Sequence, residues 1–126
     1  MVRSVHHILV VDDEPDFVAL IAQALSDEFE VVVALDVPSG LAAVDARRPA
    51  LILLDLRMPG HAGDGFDFLT RYRSRVGEAL APVVITSALP MRDQAVLQDR
   101  VAAFLPKPFE IEAMRALVRR VALPSP

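Results

Sequence analysis

The sequence contains no cysteine. A disulfide framework, a thiolate metal site and a cysteine nucleophile are therefore excluded, and this composition suits a reducing cytoplasm, which is the expected location. No apolar run approaches the roughly 18 residues that a membrane-crossing helix needs, so we expect no membrane association. Residues 1–5 lead straight into a predicted strand, so no secretory signal is predicted.

Basic residues are too few for a nucleic-acid-binding surface. Lys and Arg number 13 against 17 Asp and Glu, which gives a net charge of −4. Because phosphate contacts need clustered Lys and Arg, we expect this domain not to bind nucleic acid. The two short clusters Arg47-Arg48 and Arg119-Arg120 are predicted at helix ends, where cations complement the helix dipole, with a partner-binding surface as the alternative.

Apolar residues, in contrast, are abundant enough for one folded domain. The 126 residues are 53% hydrophobic and 24% charged, which is typical of a globular protein with a buried core. We predict a single domain over residues 1–126, in which residues 123–126 form a C-terminal tail or the start of a linker.

Five apolar stretches of strand length alternate with five segments of helical periodicity. The predicted strands cover residues 7–11, 31–35, 51–55, 82–87 and 103–105. The predicted helices cover about residues 15–26, 38–47, 66–76, 90–98 and 111–121. Because every connection is short, the alternation predicts an α/β fold, a doubly wound parallel sheet with right-handed crossovers and helices on both faces.

Helical spacing also predicts which side chains face the sheet. They are Phe17, Leu20, Ile21, Ala24 and Leu25 in the first helix, Leu41, Ala42 and Val44 in the second, Phe66, Leu69, Tyr72 and Val76 in the third, and Ile111, Met114, Leu117, Val118 and Val121 in the last. An acidic residue before Pro15 is predicted to cap the first helix. Residues 60–65 are predicted to form a flexible loop.

Polar residues stand at the carboxyl ends of four predicted strands; they are Asp12, Asp13, Asp55, Thr86, Ser87 and Lys107. In a parallel sheet these ends share one edge, where open α/β sheets place their ligand sites. Three carboxylates so close together repel one another, and this repulsion would raise the pKa of one of them unless a cation were present. Ligands that are all oxygen indicate Mg²⁺ (or Mn²⁺), and the lysine would add a second positive charge.

Such a site suits phosphoryl transfer to a carboxylate. Asp55 is the candidate nucleophile because it ends the central strand. The other predicted roles are metal binding by Asp12 and Asp13, a clamp on phosphoryl oxygens by Lys107, and hydrogen bonding by the hydroxyl of Ser87. The central strand alone leaves open a second role for Asp55, that of a cap on the following turn.

Four motifs resemble those of two-component response-regulator receiver domains. They are Val10–Glu14, Leu54–Gly60, Val84–Ala88 and Phe104–Phe109, and they follow one another in the order and spacing of that family over nearly the whole chain. The resemblance implies a chemotaxis-regulator-like, flavodoxin-like (βα)5 fold with strand order 2-1-3-4-5. It also implies a signalling domain, not an enzyme, that catalyses only its own phosphorylation and dephosphorylation.

The resemblance further implies a role for each residue at the site. Asp55 would accept a phosphoryl group from a phosphohistidine on a sensor histidine kinase or a histidine phosphotransfer protein. Mg²⁺ (or Mn²⁺) would be held by Asp13 and Asp55, by Asp12 through water, and by the backbone carbonyl of Arg57.

Two residues would act as the switch. Ser87, which precedes an alanine as in the family, would move toward the phosphoryl group, and Phe104 would then turn inward. The face formed by the fourth helix, fifth strand and fifth helix would change its binding of an output partner or of a second copy of the domain. Lys107-Pro108 matches a peptide that is usually cis in this family.

Two stretches depart from the family pattern. The segment Gly60–Gly65 is longer than usual, and the segment between Ser87 and Phe104 is correspondingly short, so the fourth helix is expected to be truncated or displaced. Arg57 and Leu89 flank the predicted phosphoryl site and are expected to shield it from water.

Two other functions remain as alternatives. A haloacid-dehalogenase-type phosphohydrolase also uses an aspartyl nucleophile after a strand, but it needs a second Asp where this chain has Arg57. A pseudo-receiver would be an interaction module that no longer takes phosphate, and the altered segment before Phe104 keeps that alternative open. A flavin or nucleotide binder is disfavoured because the acidic segment Asp12–Glu14 would repel a phosphate.

Overall fold

The apolar stretches form a five-stranded parallel sheet. A computed structural model describes residues 6–58, 63–75, 80–88 and 101–123. The strands are β1 (His7–Val11), β2 (Glu30–Ala34), β3 (Leu51–Asp55), β4 (Val83–Ser87) and β5 (Ala103–Pro106), in the order β2-β1-β3-β4-β5. All four pairings are parallel, so the predicted sheet and its strand order are confirmed.

Helices follow four of the five strands within the described residues. They are α1 (Pro15–Leu25), α2 (Val37–Ala46), α3 (Gly65–Arg73) and α4 (Ile111–Ala122), of which α4 is the fifth predicted helix. The predicted fourth helix over residues 90–98 lies outside the described residues, as do Val76 and Leu89. In the part of the chain that the structure covers, no helix has the length and apolar character to span a bilayer.

These helices pack on both faces of the sheet. In β3, Leu51 and Leu53 pack with α1 and α4, whereas Ile52 and Leu54 pack with α2 and α3. The alternation follows from the two-residue period of a strand. Every residue of β1, β3 and β4 is buried because each of these strands has neighbours on both sides and helices on both faces.

One residue of α1 that is predicted to face the sheet is exposed instead. Val18, Ile21 and Leu25 are buried, whereas Leu20 is 50% exposed. Val18 and Leu20 project about 200° apart around a helix, so they cannot both face the sheet. The prediction of an inward Leu20 is wrong, and Phe17 lies at the margin of the core, partly buried.

Two similar corrections apply to α2 and α3. Ala42 is exposed, and Phe66 is also exposed, although both are predicted to point inward. Phe68 instead fills the sheet side of α3, completely buried, together with Leu69 and Tyr72, which were correctly predicted. Phe66 is two positions from Phe68, which turns its side chain to the opposite side of the helix.

The prediction for α4 is confirmed. Its buried residues are Met114, Leu117 and Val118, with Ile111 and Val121 partly buried beside them. Arg119 and Arg120 lie in its last turn, as predicted.

The prediction for Arg47 is also confirmed, since this residue lies at the end of α2, directly after a last turn that itself contains no basic residue. Arg47 follows that turn at the C-cap, and its guanidinium pairs with Glu30 at 2.9 Å.

The side-chain cap predicted for α1 is absent, and α3 begins with a side-chain cap that was not predicted. Glu14 occupies the N-cap of α1 but makes no side-chain hydrogen bond to the helix. At α3, Asp64 accepts from the helix amides while Asp67 accepts the Asp64 N–H, which forms a capping box. The helix therefore begins at Gly65, within the segment predicted to be a loop, while residues 59–62 lie outside the described residues.

Candidate functional site

Asp12 and Asp55 lie side by side at the carboxyl edge of the sheet. Val11 of β1 pairs with Leu54 of β3 in parallel register, so the next residue of each chain segment is also adjacent. Carboxylate oxygens of Asp12, Asp13 and Asp55 all lie within 4.8 Å of one another. The predicted convergence of the three acids is therefore present in the structure.

Burial and backbone hydrogen bonds hold two of these carboxylates in place. Asp12 is 1% exposed and Asp55 is 5% exposed. Asp12 Oδ1 accepts the N–H of Glu14 at 3.1 Å, and Asp55 Oδ1 accepts the N–H of Arg57 at 3.2 Å. Each carboxylate is thus bound through one oxygen to the chain that follows it, which leaves the Oδ2 atoms for other partners.

Lys107 reaches both remaining oxygens. Its Nζ lies 2.9 Å from Asp12 Oδ2 and 3.7 Å from Asp55 Oδ2. The amide of Lys107 donates to the carbonyl oxygen of Ser87 at 2.9 Å, which continues the β4–β5 pairing to the edge of the sheet. The peptide between Lys107 and Pro108 is cis, as predicted.

The surroundings of Asp55 disfavour the ionised form of its side chain. Its pKa is raised to about 6, mainly by burial and next by the charge of Asp12. The ammonium of Lys107 and the N–H of Arg57 lower this pKa in part, and Asp13 raises it slightly further. One ammonium therefore does not compensate for the burial of a carboxylate beside two other acids.

This arrangement fits a hard divalent cation. The cluster of Asp12, Asp13 and Asp55 offers oxygen ligands only, the donor type that Mg²⁺ and Mn²⁺ take in proteins. A cation there would relieve the repulsion that raises the pKa of Asp55. The amide of Arg57 contacts Asp55, so the backbone of this residue also lies beside the cluster.

The structure brings two hydroxyl residues to the same edge. Thr86 of β4 pairs with Asp55, and Ser87 follows it at the end of the strand. Both are buried, at 3% and 1% exposure. Phe104 lies one strand further, in β5, where it is half-buried against the core on the α2 and α3 side of the sheet.

Two residues that shape the site were not singled out from the sequence. The ring of Phe17, in the first turn of α1, lies under the Lys107 ammonium, with Nζ 4.3 Å from the ring centroid. At Gly65, a Cβ atom would overlap the backbone carbonyl oxygen of Asp55. A glycine at the start of a helix was an available signal for the second residue, whereas nothing local pairs Phe17 with a lysine 90 positions away.

Comparison with known proteins agrees with this geometry. The family model described as the response regulator receiver domain matches residues 8–119. The nitrogen assimilation regulatory protein NtrX of Azorhizobium caulinodans is 36% identical over 118 residues, which cover 91% of this chain and 26% of that protein. The response regulator PleD of Caulobacter vibrioides is 36% identical over 115 residues, covering 89% of this chain and 25% of that protein. The chain thus spans about a quarter of the length of these two relatives.

Solved structures agree as well. The receiver domain of NtrX from Brucella abortus superposes with a TM-score of 0.81 at 36% identity, over 94% of this chain and 99% of that one. A CheY-like receiver domain protein from Methanospirillum hungatei, 22% identical, has the same fold with a TM-score of 0.81 over 94% of each chain. The matches are consistent with phosphoacceptor signalling in a two-component system and do not favour the phosphohydrolase or the pseudo-receiver. This chain therefore belongs to the response regulator receiver domain family.

Proposed function

We propose that Asp55 accepts a phosphoryl group from the phosphohistidine of a sensor histidine kinase or a histidine phosphotransfer protein. The supporting observation is the position of Lys107 Nζ, 2.9 Å from Asp12 and 3.7 Å from Asp55, within a cluster of three acids. A structural ion pair would need one carboxylate for one ammonium. An excess of buried carboxylate oxygens beside a lysine is instead the arrangement that binds a cation and a phosphoryl group.

The transfer itself needs few protein groups. An oxygen of Asp55 would attack phosphorus while the bond from phosphorus to the imidazole nitrogen of the donor breaks, and the bonding electron pair leaves with that nitrogen. The ammonium of Lys107 would balance charge on the phosphoryl oxygens from its position beside Asp55. The hydroxyl of Ser87, at the end of the adjacent strand, would donate to one of those oxygens.

Mg²⁺ (or Mn²⁺) would supply the additional positive charge that the transferring phosphoryl group requires. Asp13 and Asp55 would hold it directly, and Asp12 would hold it through water. The backbone carbonyl of Arg57 is the fourth proposed protein ligand. The fit rests on the oxygen-only cluster and on the raised pKa of Asp55.

Phosphorylation would be read out at the edge of the sheet. Ser87 and Phe104 would be the switch residues, since the first ends β4 beside Asp55 and the second lies in the neighbouring β5. The output surface would include β5 and α4, and it would bind an output partner or a second copy of the domain. We place the domain, over residues 1–126, in the cytoplasm, where its kinase would present phosphohistidine.

One experiment tests this function directly. The protein is incubated with Mg²⁺ and acetyl phosphate, and its intact mass is measured. We expect the gain of one phosphoryl mass in the wild type and in Asp45→Asn, an exposed acid paired with Arg75, but not in Asp55→Asn. Steady release of phosphate from unrelated esters would indicate a phosphohydrolase. No gain from acetyl phosphate or from a purified histidine kinase would indicate an interaction module.

A further inference from the structure

The ring of Phe17 connects α1 with the lysine of the site. Phe17 is partly buried against the core on the α1 and α4 side of the sheet. One face of its ring is 4.3 Å, measured to the centroid, from Lys107 Nζ. Phe109, two residues after Lys107, meets the same ring edge-on, with centroids 5.9 Å apart and an interplanar angle of 78°. The ring is therefore fixed on one side by the core and by Phe109, and it presents its face to the ammonium.

Two carboxylates and one aromatic face lie around the ammonium of Lys107. Lys107 Nζ is 2.9 Å from Asp12 Oδ2, 3.7 Å from Asp55 Oδ2, and in contact with the face of Phe17. An aromatic face carries partial negative charge, so it attracts a cation without competing for a proton. The Lys107 side chain is 19% exposed, so little of it contacts water.

We propose that Phe17 is a positioning residue for phosphoryl acceptance. Its ring face holds the ammonium of Lys107 beside Asp55, where incoming phosphoryl oxygens meet it without rearrangement of the lysine. This inference rests on the proposed function, because the ammonium has a phosphoryl group to stabilise only if Asp55 accepts one. Without the ring, the long lysine side chain gains other rotamers, and the ammonium spends less time in the productive position.

If the role of Phe17 were purely structural, only the shape of its side chain would matter, and the charge on its ring face would not. Leucine at position 17 would fill much of the same apolar space against Phe109, but it has no negative face. Tyrosine and tryptophan would keep that face. Ring-fluorinated phenylalanines keep the shape of the side chain while withdrawing charge from its face, so they separate electrostatics from packing.

The test uses the full chain and measures the rate of phosphorylation by acetyl phosphate at saturating Mg²⁺. We expect Phe17→Leu to be slower by roughly two- to tenfold, the size expected of a cation–π contact, and Phe17→Tyr to be close to the wild type. Rates should fall stepwise as one, two and three fluorines are placed on Phe17. The Mg²⁺ concentration that gives half-maximal rate should stay unchanged, because Phe17 is not among the acids of the cluster.

Leu20→Ala is the matched control, since Leu20 lies on the same helix but is 50% exposed; its rate should equal that of the wild type. Equal rates across the fluorinated series would overturn the positioning role, even if Phe17→Leu were slow. The fluorinated proteins keep this test decisive if Phe17→Leu fails to fold. A wild type that takes up no phosphoryl group would instead overturn the proposed function, and the positioning role with it.

Discussion

The amide of Gly65 donates a hydrogen bond to the carbonyl oxygen of Leu56 at 3.1 Å. This bond joins the first residue of α3 to the residue that follows Asp55. The two segments can approach so closely because Gly65 has no side chain; a Cβ there would overlap the carbonyl oxygen of Asp55 and the Cα of Leu56. The start of α3 therefore supports the backbone of the proposed phosphoryl acceptor.

Gly65→Ala should accordingly disturb both stability and phosphorylation. Both overlapping groups are backbone atoms and cannot rotate away, so β3 and α3 must separate. We expect a loss in the free energy of unfolding on the order of 1–3 kcal/mol, measured by urea denaturation, and slower phosphorylation by acetyl phosphate. Thr70→Ala, at an exposed position of the same helix, is the control and should change neither quantity. A fully active and stable Gly65→Ala protein would contradict this account.

Two ion pairs of equal length should differ in how much they contribute to the free energy of unfolding. Lys107–Asp12 and Arg47–Glu30 both measure 2.9 Å. The side chain of Asp12 is 1% exposed, whereas both side chains of the second pair are 46% exposed. A buried carboxylate that loses its partner cannot be rescued by water, but an exposed one can.

Lys107→Met should therefore lower the free energy of unfolding by roughly 2–3 kcal/mol at neutral pH without Mg²⁺. Arg47→Met should leave it nearly unchanged, because the exposed pair is already screened by solvent. Mg²⁺ should restore part of the stability of Lys107→Met by supplying the missing positive charge. Chemical denaturation with and without Mg²⁺ measures each effect. Equal losses of unfolding free energy in the two variants would refute the claim that the buried pair contributes more than the exposed one.

Much of the site could be predicted from the sequence because strand ends are easy to locate. The stretch from Leu51 to Leu54 has no polar residue, so Asp55 marks the end of a buried strand. Once the order of strands is known, parallel register brings Asp12 next to Asp55 without further assumptions. Lys107 follows the last strand by the same reasoning.

Helix orientation was harder to predict, because α1 carries more than one apolar stripe. Leu20 and Val18 are equally apolar, and only packing on β1 and β3 selects Val18 for the core. The contact between Phe17 and Lys107 was unpredictable for a related reason. It depends on side-chain rotamers of residues far apart in the chain, on which periodicity and composition carry no information.

His7 should make stability fall in mild acid. It is 4% exposed, and its pKa is lowered, first by burial and next by the charge of Arg47, while Glu30 opposes the shift. A histidine with a lowered folded-state pKa is less readily protonated in the folded chain than in the unfolded chain. Its contribution is therefore fully present above the unfolded-state pKa of about 6.5 and is lost as the pH falls from that value through the lowered folded-state pKa.

Replacing His7 with Gln should make the decline in unfolding free energy between about pH 7 and pH 5 shallower than in the wild type. His6→Gln is the control, since the neighbouring His6 is exposed, and its decline should match that of the wild type. Urea denaturation across this pH range gives both slopes. A His7→Gln slope identical to that of the wild type would show that His7 remains equally protonated in the two states.

Asp55→Asn should stabilise the protein in the absence of a cation. The folded-state pKa of Asp55 is raised to about 6 from an ordinary value of 3.8, so its ionised form is disfavoured in the folded chain. The wild type should therefore lose stability as the pH rises from about 4 to about 6, and Asp55→Asn should lack this loss. Above pH 6 we expect the unfolding free energy of the variant to exceed that of the wild type on the order of 1–2 kcal/mol, once solvent screening is allowed for.

Saturating Mg²⁺ should reduce or reverse this difference between Asp55→Asn and the wild type, since the wild type retains the carboxylate that would bind the cation. Denaturation at several pH values, with and without Mg²⁺, measures all of these quantities, and a less stable Asp55→Asn protein at pH 8 without metal would show that the ionised carboxylate is favourable in the fold.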